Sequence, residues 1–409
     1  MALSSAFQVP ITNGPSATSR PAMTERFAGI LIAVPILLGL YTYLGYPLLL
    51  RLLSVGRGGT LVGEDPAEWP LITITIPAYN EEKEIANTVE SVLSLDYPPE
   101  RRQILVVSDA SSDRTDEIVR QYEDRGVELL RVEGRVGKTE AENVASNHLR
   151  GSIIVNTDAS IRIAPGAIRA LVRQFSDPTV GLASGRDISI ARVDERSNRG
   201  ESGYVGYEMG IRDLETSVGG IVGASGCFYA IRAELHRIPL PGFLSRDFAA
   251  ALKVQEHGFR PVSVPEAVCY VPRAPSLRKE YRRKVRTIAR GIRTLAHKRS
   301  LLNPFRHPLF AWKLFSHKVC RWLVPWAGLL GAVGIVGMAA YSPVALAIAI
   351  LSGVGLLIAG VSWFLSDRVH LPGPLQIGAY ALSGNIAAMH ALLRALRGGR
   401  DATWEPTRR

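Results

Sequence analysis

The chain has 409 residues, a hydrophobic share of 47% and a formal net charge of +11. That apolar content excludes disorder as a general description. Three scattered cysteines, Cys227, Cys269 and Cys320, offer neither a disulfide framework nor zinc-ligand spacing and point to a reducing compartment.

Met1–Arg26 is rich in Ser, Thr and Pro and reads as a flexible tail. Phe27–Leu50 follows, 24 uncharged residues closed by Arg51. As a helix it reaches about 36 Å, against a hydrocarbon core of about 30 Å. A cleaved signal peptide would be shorter and followed by a small-residue cleavage site, so the run is expected to be a retained anchor.

Leu71–Ile76 is a β-branched run stopped by Pro77 and reads as a buried strand. Glu81–Leu95 has helical spacing, with Ile85, Val89, Val92 and Leu93 on one face. Gln103–Val107 is a second strand, followed by a helix capped by Asp113 or Thr115. A third strand over Val127–Val132 leads to a helix over Lys138–Leu149, and Ser152–Val155 is the fourth strand. Four alternations predict an α/β fold, a mostly parallel sheet with helices on both faces. In such sheets ligands bind at the carboxyl ends of the strands. Tyr79, Asn80 and Glu81 follow the first strand, Asp109 the second and Asp158 the fourth. Singly each reads as a turn or cap residue; in register they predict one crevice.

From Arg273 to Lys318 there are 14 Lys and Arg against a single acid, Glu280. A basic cluster just before a span reads as cytoplasmic and suits anionic headgroups, and the amphipathic Leu277–Ser316 stretch is expected to lie on the bilayer. A nucleic-acid-binding reading of the same patch leaves the long uncharged runs unexplained. Trp322–Ser366 contains no charge over 45 positions, too long for one span and right for two, with Tyr341-Ser342-Pro343 as the turn. Leu371–Leu393 is a further uncharged run, giving three C-terminal spans after one N-terminal span. Three spans would export a tail bearing Arg394, Arg397, Arg400, Arg408 and Arg409, against the positive-inside rule, unless the last run is re-entrant or interfacial. The expected divisions are 1–26, 27–50, 69–272, 273–318, 319–396 and 397–409.

No G-x-G-x-x-G follows the first strand, and Arg135-Val-Gly-Lys-Thr139 lacks the spacing of a P-loop. Dinucleotide and ATPase chemistry are set aside. Asp158, with Ser160 two residues on, suits a hard divalent cation held by one or two carboxylates plus substrate phosphates. Asp109 and Glu81 suit a base or ribose, and Lys138 a diphosphate. Arg246-Asp247-Phe248 offers one more carboxylate.

Pro77-Ala-Tyr-Asn-Glu-Glu82, Ser108-Asp-Ala-Ser-Ser-Asp-Arg-Thr115, Gly137-Lys138 and Asn156-Thr-Asp-Ala-Ser160 resemble successive motifs of the family 2 glycosyltransferases. Gly223–Arg232 is similar to the family's acceptor-side loop, Arg246–Leu252 to its E-D segment and Arg283-Lys-Val-Arg286 to its Q-x-x-R-W segment. The resemblance runs from about Trp69 to Arg290 and extends to synthases of the hyaluronan and cellulose type. It implies a glycosyltransferase-A fold, a nucleotide-diphosphate sugar donor (a UDP-sugar foremost), Mg²⁺ or Mn²⁺, and inversion at the sugar carbon. Carried over by position, it implies that Ala78, Tyr79, Glu81 and Asp109 bind the nucleoside and that Asp158 and Ser160 bind the metal. Lys138, Arg283 and Arg286 then meet the diphosphate, Gly226 and Cys227 shape the acceptor side, and Asp247 is the base.

Four positions depart from the family pattern: Ser160 replaces the second acid, Arg246 the Glu before the catalytic Asp, Arg283 the Gln and Thr287 the Trp. The missing Trp puts processive synthesis in question, so the expected acceptor is a growing polysaccharide or a lipid-linked molecule. The expected location is the inner membrane with the catalytic domain cytoplasmic and no nucleic-acid partner. A non-catalytic membrane scaffold or transporter subunit with a degenerate transferase domain is the alternative. It predicts loss of Asp109, Asp158 or Asp247, and all three are present.

Overall fold

The computed structural model describes residues 19–56, 65–190, 199–272, 276–369 and 371–398. The expected N-terminal tail falls outside them up to residue 18, and the C-terminal tail beyond residue 398.

The chain opens with helices α1 (Ser19–Leu40) and α2 (Tyr46–Ser54), joined by a π-helical turn. The central region contains β1 (Ile72–Ala78), α3 (Ile85–Leu93), β2 (Arg102–Ser108), α4 (Thr115–Arg120), β3 (Val127–Arg131), α5 (Lys138–Ala145) and β4 (Ile153–Thr157). It continues with β5 (Arg162–Ile163), α6 (Ala167–Arg173), β6 (Val180–Ile190), α7 (Arg199–Ser217), β7 (Phe228–Arg232), α8 (Ala233–His236), α9 (Arg246–Glu256) and β8 (Arg260–Pro272). Five more helices follow: α10 (Leu277–His297), α11 (Pro308–Leu314), α12 (Arg321–Ala339), α13 (Pro343–Leu365) and α14 (Gly373–Leu396).

The eight strands form one sheet in the order β3-β2-β1-β4-β7-β6-β8-β5. The four predicted strands are its parallel half, β1 pairing with β2 and β4, and β2 with β3. The other half is mixed. β7 is antiparallel to both β4 and β6, β5 is antiparallel to β8, and β6 is parallel to β8. Side-chain alternation sends Ile72, Ile74 and Ile76 into a core under α3 and α6, while Leu105, Val107 and Ile154 enter a second core with residues of α5 and α9. Apolar side chains on both faces explain why these strands read as continuous hydrophobic runs. Gly151 admits β1 where a Cβ would stand 2.4 Å from the Thr73 nitrogen.

Among the described residues three helices are long and apolar enough to cross a membrane: Arg26–Ser54, Pro308–Ala339 and Pro343–Leu365. Their outer faces carry exposed Leu37, Val336, Leu351 and Leu357, an apolar surface larger than water tolerates. α1 packs on α12 at Gly334, where a Cβ would meet the Leu31 Cβ at 2.9 Å and the Ala28 carbonyl at 3.0 Å. Small residues of this kind let membrane helices approach closely.

The third C-terminal run behaves differently from the other two. It forms α14, which falls outside the long apolar set among the described residues. Ala387 and Ala391 pack against Val285 and Ala289 of α10, and Ala379 and Tyr380 pack against Leu277. α10 in turn does not simply rest on a bilayer. It lies between α14 and the central domain, its Leu295 sharing a core with Phe248 of α9.

Candidate active site

The carboxyl ends of β1, β2 and β4 do converge. The loop after β1 and the loop after β2 are knitted together: Ser112 N–H donates to Asn80 Oδ1 at 2.8 Å, Asn80 N–H to Ser111 Oγ at 3.2 Å, and Glu81 N–H to Thr115 Oγ1 at 2.9 Å. Asn80 and Ala110 both adopt φ near +54°. Asn tolerates that region, whereas Ala there is strained, and such strain concentrates at binding sites.

Asp109 is buried and both its oxygens are engaged, Oδ1 by Val136 N–H at 2.8 Å and Oδ2 by Gly137 N–H at 2.9 Å. It therefore shapes the loop that presents Lys138, a task beyond the nucleoside contact implied for it. Gly137, at φ 88°, makes the turn into α5. Ala78 is buried in the sheet, and its carbonyl accepts the Asp109 N–H at 2.9 Å. Tyr79 is half-buried just after β1 and is covered by Arg135, whose guanidinium carbon lies 4.0 Å from the ring centre. Arg135 escaped sequence reasoning although it adjoins Gly137-Lys138.

Lys138 Nζ donates to Asp158 Oδ1 at 2.5 Å, and both side chains are largely buried. Burial disfavours the ammonium, but Asp158 and Glu142 outweigh it and hold Lys138 above its ordinary range. The Asp158 N–H donates to the Cys227 carbonyl at 3.1 Å. On the other side of that loop, a Cβ on Gly226 would lie 3.5 Å from Asp247 Oδ2. Gly226–Cys227 thus separates Asp158 from Asp247. Ser225 Oγ braces this loop, accepting from Cys227 N–H and Phe228 N–H, each at 3.1 Å, and donating to Asp187 Oδ1 at 2.6 Å.

Asp247 sits in the first turn of α9, its Oδ1 accepting from Ser245 Oγ at 2.7 Å. Arg246, its neighbour in sequence, turns away and is buried against α5. Arg290 of α10 anchors the segment that leads into α9. It donates to the Leu244 and Gly242 carbonyls at 2.5 and 3.1 Å, and Asp247 counters the effect of burial on its charge. Arg290 was hidden within the basic run. Arg283 pairs with buried Glu280 at 2.7 and 2.9 Å, so its fork is already occupied within α10.

Among the described residues no three His, Cys, Asp or Glu side chains cluster as a metal cage. Asp158, partly exposed with Oδ1 on Lys138, fits a cation held mainly by donor phosphates, with Ser160 close in sequence.

A mixed sheet, a polar crevice at the strand ends and flanking helices define a glycosyltransferase-A-like fold. Residues 73–237 match the family model described as Glycosyl transferase family 2. The beta-monoglucosyldiacylglycerol synthase of Synechocystis is 28% identical over 157 residues, 37% of this chain and 33% of that protein. The poly-beta-1,6-N-acetyl-D-glucosamine synthase of Staphylococcus aureus is 24% identical over 235 residues, 55% of each. The chain thus spans between a third and just over half of these curated relatives. Among solved structures, the Pyrobaculum calidifontis mannosyltransferase in complex with GDP-Man and Mn²⁺ superposes with a TM-score of 0.68 at 23% identity, covering 90% of this chain and 99% of that one.

Proposed function

We propose that the protein is an inverting glycosyltransferase anchored in the membrane, moving a sugar from a nucleotide-diphosphate donor to a lipid-linked or polysaccharide acceptor. The observation that carries this is the placement of Lys138–Asp158 and Asp247 on either side of Gly226–Cys227. The donor half would bind over Tyr79 and the Asp109-organised loop. Lys138 meets the diphosphate, placing positive charge where negative charge accumulates as the leaving group departs. Mg²⁺ or Mn²⁺, held by Asp158 with Ser160 and the donor phosphates, would add electrophilic stabilisation of that leaving group. Asp247 takes the proton of the acceptor hydroxyl, and one base suffices because a single displacement inverts the sugar carbon. A hydrolase would need two carboxylates flanking the bond.

The membrane helices favour a membrane-borne acceptor. With one span before the domain and two after it, the domain, α10 and the tail bearing Arg394 and Arg397 lie on one side, which the positive-inside rule makes cytoplasmic. That count removes the conflict a third span would create. Similarity to a glycolipid synthase supports a lipid acceptor, and similarity to a polysaccharide synthase supports a polymer. Thr287 in place of the family's Trp favours the first.

The test is turnover of UDP- and GDP-sugars by the purified protein in membranes with Mg²⁺ or Mn²⁺, the products weighed by mass spectrometry. One added sugar on a lipid supports the favoured version, and a ladder supports the polymer version. No turnover of any donor by folded protein would return the scaffold reading.

A further inference from the structure

Beneath the crevice, α5 carries a carboxylate that no motif marks. Glu142 is fully buried, one helical turn after Lys138, so the two side chains share a face. Its Oε2 pairs with Arg246 Nε and stands 3.8 Å from His236 Nε2. Among the described residues neither of its oxygens has a hydrogen-bond partner, so the ion pair with Arg246 is what holds the carboxylate. Arg246 completes a clamp onto the same helix. Nη1 donates to the Thr139 carbonyl at 3.1 Å and to Asn143 Oδ1 at 3.0 Å, and Nη2 faces His236 Nε2 at 3.0 Å. Arg246 is also the first residue of α9 and adjoins Asp247.

A buried carboxylate and guanidinium are expensive to desolvate, and the pair holds only while both partners stay in place. Burial pushes the Glu142 carboxyl up, but Arg246, His236 and Lys138 outweigh it and hold the group down to about 2, fully ionised. The same charge pulls on Lys138, whose ammonium now rests on Asp158. One carboxylate therefore faces the donor-side cation along its own helix and the base-bearing helix across the interface. Arg246 stands where the family resemblance implies an acid, so this clamp replaces that acid with a cation whose partner lies on α5.

We propose that Glu142 is a positioning residue, fixing the Asp247 helix through Arg246 while its charge steers the Lys138 ammonium between Asp158 and the donor diphosphate. This rests on the transferase reading above. The two arms have separate readouts. Glu142→Gln keeps the shape but loses the steering charge, so affinity for UDP or GDP, measured by calorimetry, falls about tenfold and kcat falls with it. Arg246→Lys keeps a cation beside Glu142 but loses the fork that grips Thr139 and Asn143, so kcat falls about tenfold while nucleotide affinity stays within twofold. Glu142→Gln/Arg246→Met removes both buried charges and avoids an orphaned ion. If this double variant melts within a few degrees of the parent yet keeps parental affinity and kcat, the proposal is overturned. If Arg246→Lys does not fold, Glu142→Gln alone decides, and unchanged nucleotide affinity there overturns the steering role. The nucleotide-binding arm is read without turnover, so a parent that binds UDP or GDP but turns over no sugar donor counts against the transferase reading and leaves Glu142 to be judged on affinity.

Discussion

In the proposed reaction Asp247 accepts the proton and Lys138 stabilises the departing charge. Asp247→Asn keeps the Ser245 contact but loses the base, so kcat should fall by about 10²-fold or more with nucleotide affinity unchanged. Steady-state kinetics beside calorimetry checks this. The buried His236 adds a pH dependence. Burial first, and Arg246 next, hold its pKa down to about 4, opposed by Glu142. The unfolded chain therefore binds a proton between about pH 6.5 and 4 that the folded chain refuses, and stability falls as pH falls through that window. Glu142, depressed to about 2, extends the loss below pH 4.5 in the same direction. Thermal melts from pH 7 to pH 4 should show a steady drop that His236→Gln flattens, and a flat parental profile would contradict the buried neutral imidazole. At this scale Asp109, Asp158 and Asp247 were legible as carboxylates after strands or in motifs. Glu142 and Arg290 were not, because each sits in an ordinary helical pattern and acquires meaning only from the elements packed against it.

At the scale of elements, the parallel half of the sheet was readable and the mixed half was not. β1 to β4 are apolar runs followed by turn residues, whereas β6 and β8 run 11 and 13 residues and carry Arg, Asp and Glu. Their register depends on partners distant in sequence, and no local signal sets it. α14 shows the same limit. Its uncharged run reads as a span, yet its Ala-rich stripe at Ala379, Ala387 and Ala391 is a packing face for α10. The α1–α12 contact is set by Gly334, where Leu31 leaves no room for a side chain. Gly334→Leu should separate the two helices and lower the melting temperature in detergent by several degrees. An equal melt would show that the contact is not part of the folded core.

For the whole molecule, the proposed topology of one span before the domain and two after it predicts that Arg394 and Arg397 lie on the same side of the membrane as the domain. A cysteine introduced at the described C-terminal end and one on the domain surface should therefore react with an impermeant maleimide from the same side of sealed vesicles. Opposite-side labelling would overturn the span count. Length and hydropathy alone suggest this span count, because α14 falls outside the long apolar set among the described residues, and its packing on α10 is consistent with that.

The most direct test of the crevice is donor turnover by the parent, Asp158→Ala and Asp247→Asn proteins side by side, with nucleotide binding measured on each. The expected result is nucleoside diphosphate release by the parent alone, weakened binding in Asp158→Ala and retained binding in Asp247→Asn. Turnover that survives in Asp247→Asn would contradict the assignment of the base and, with it, the site as drawn.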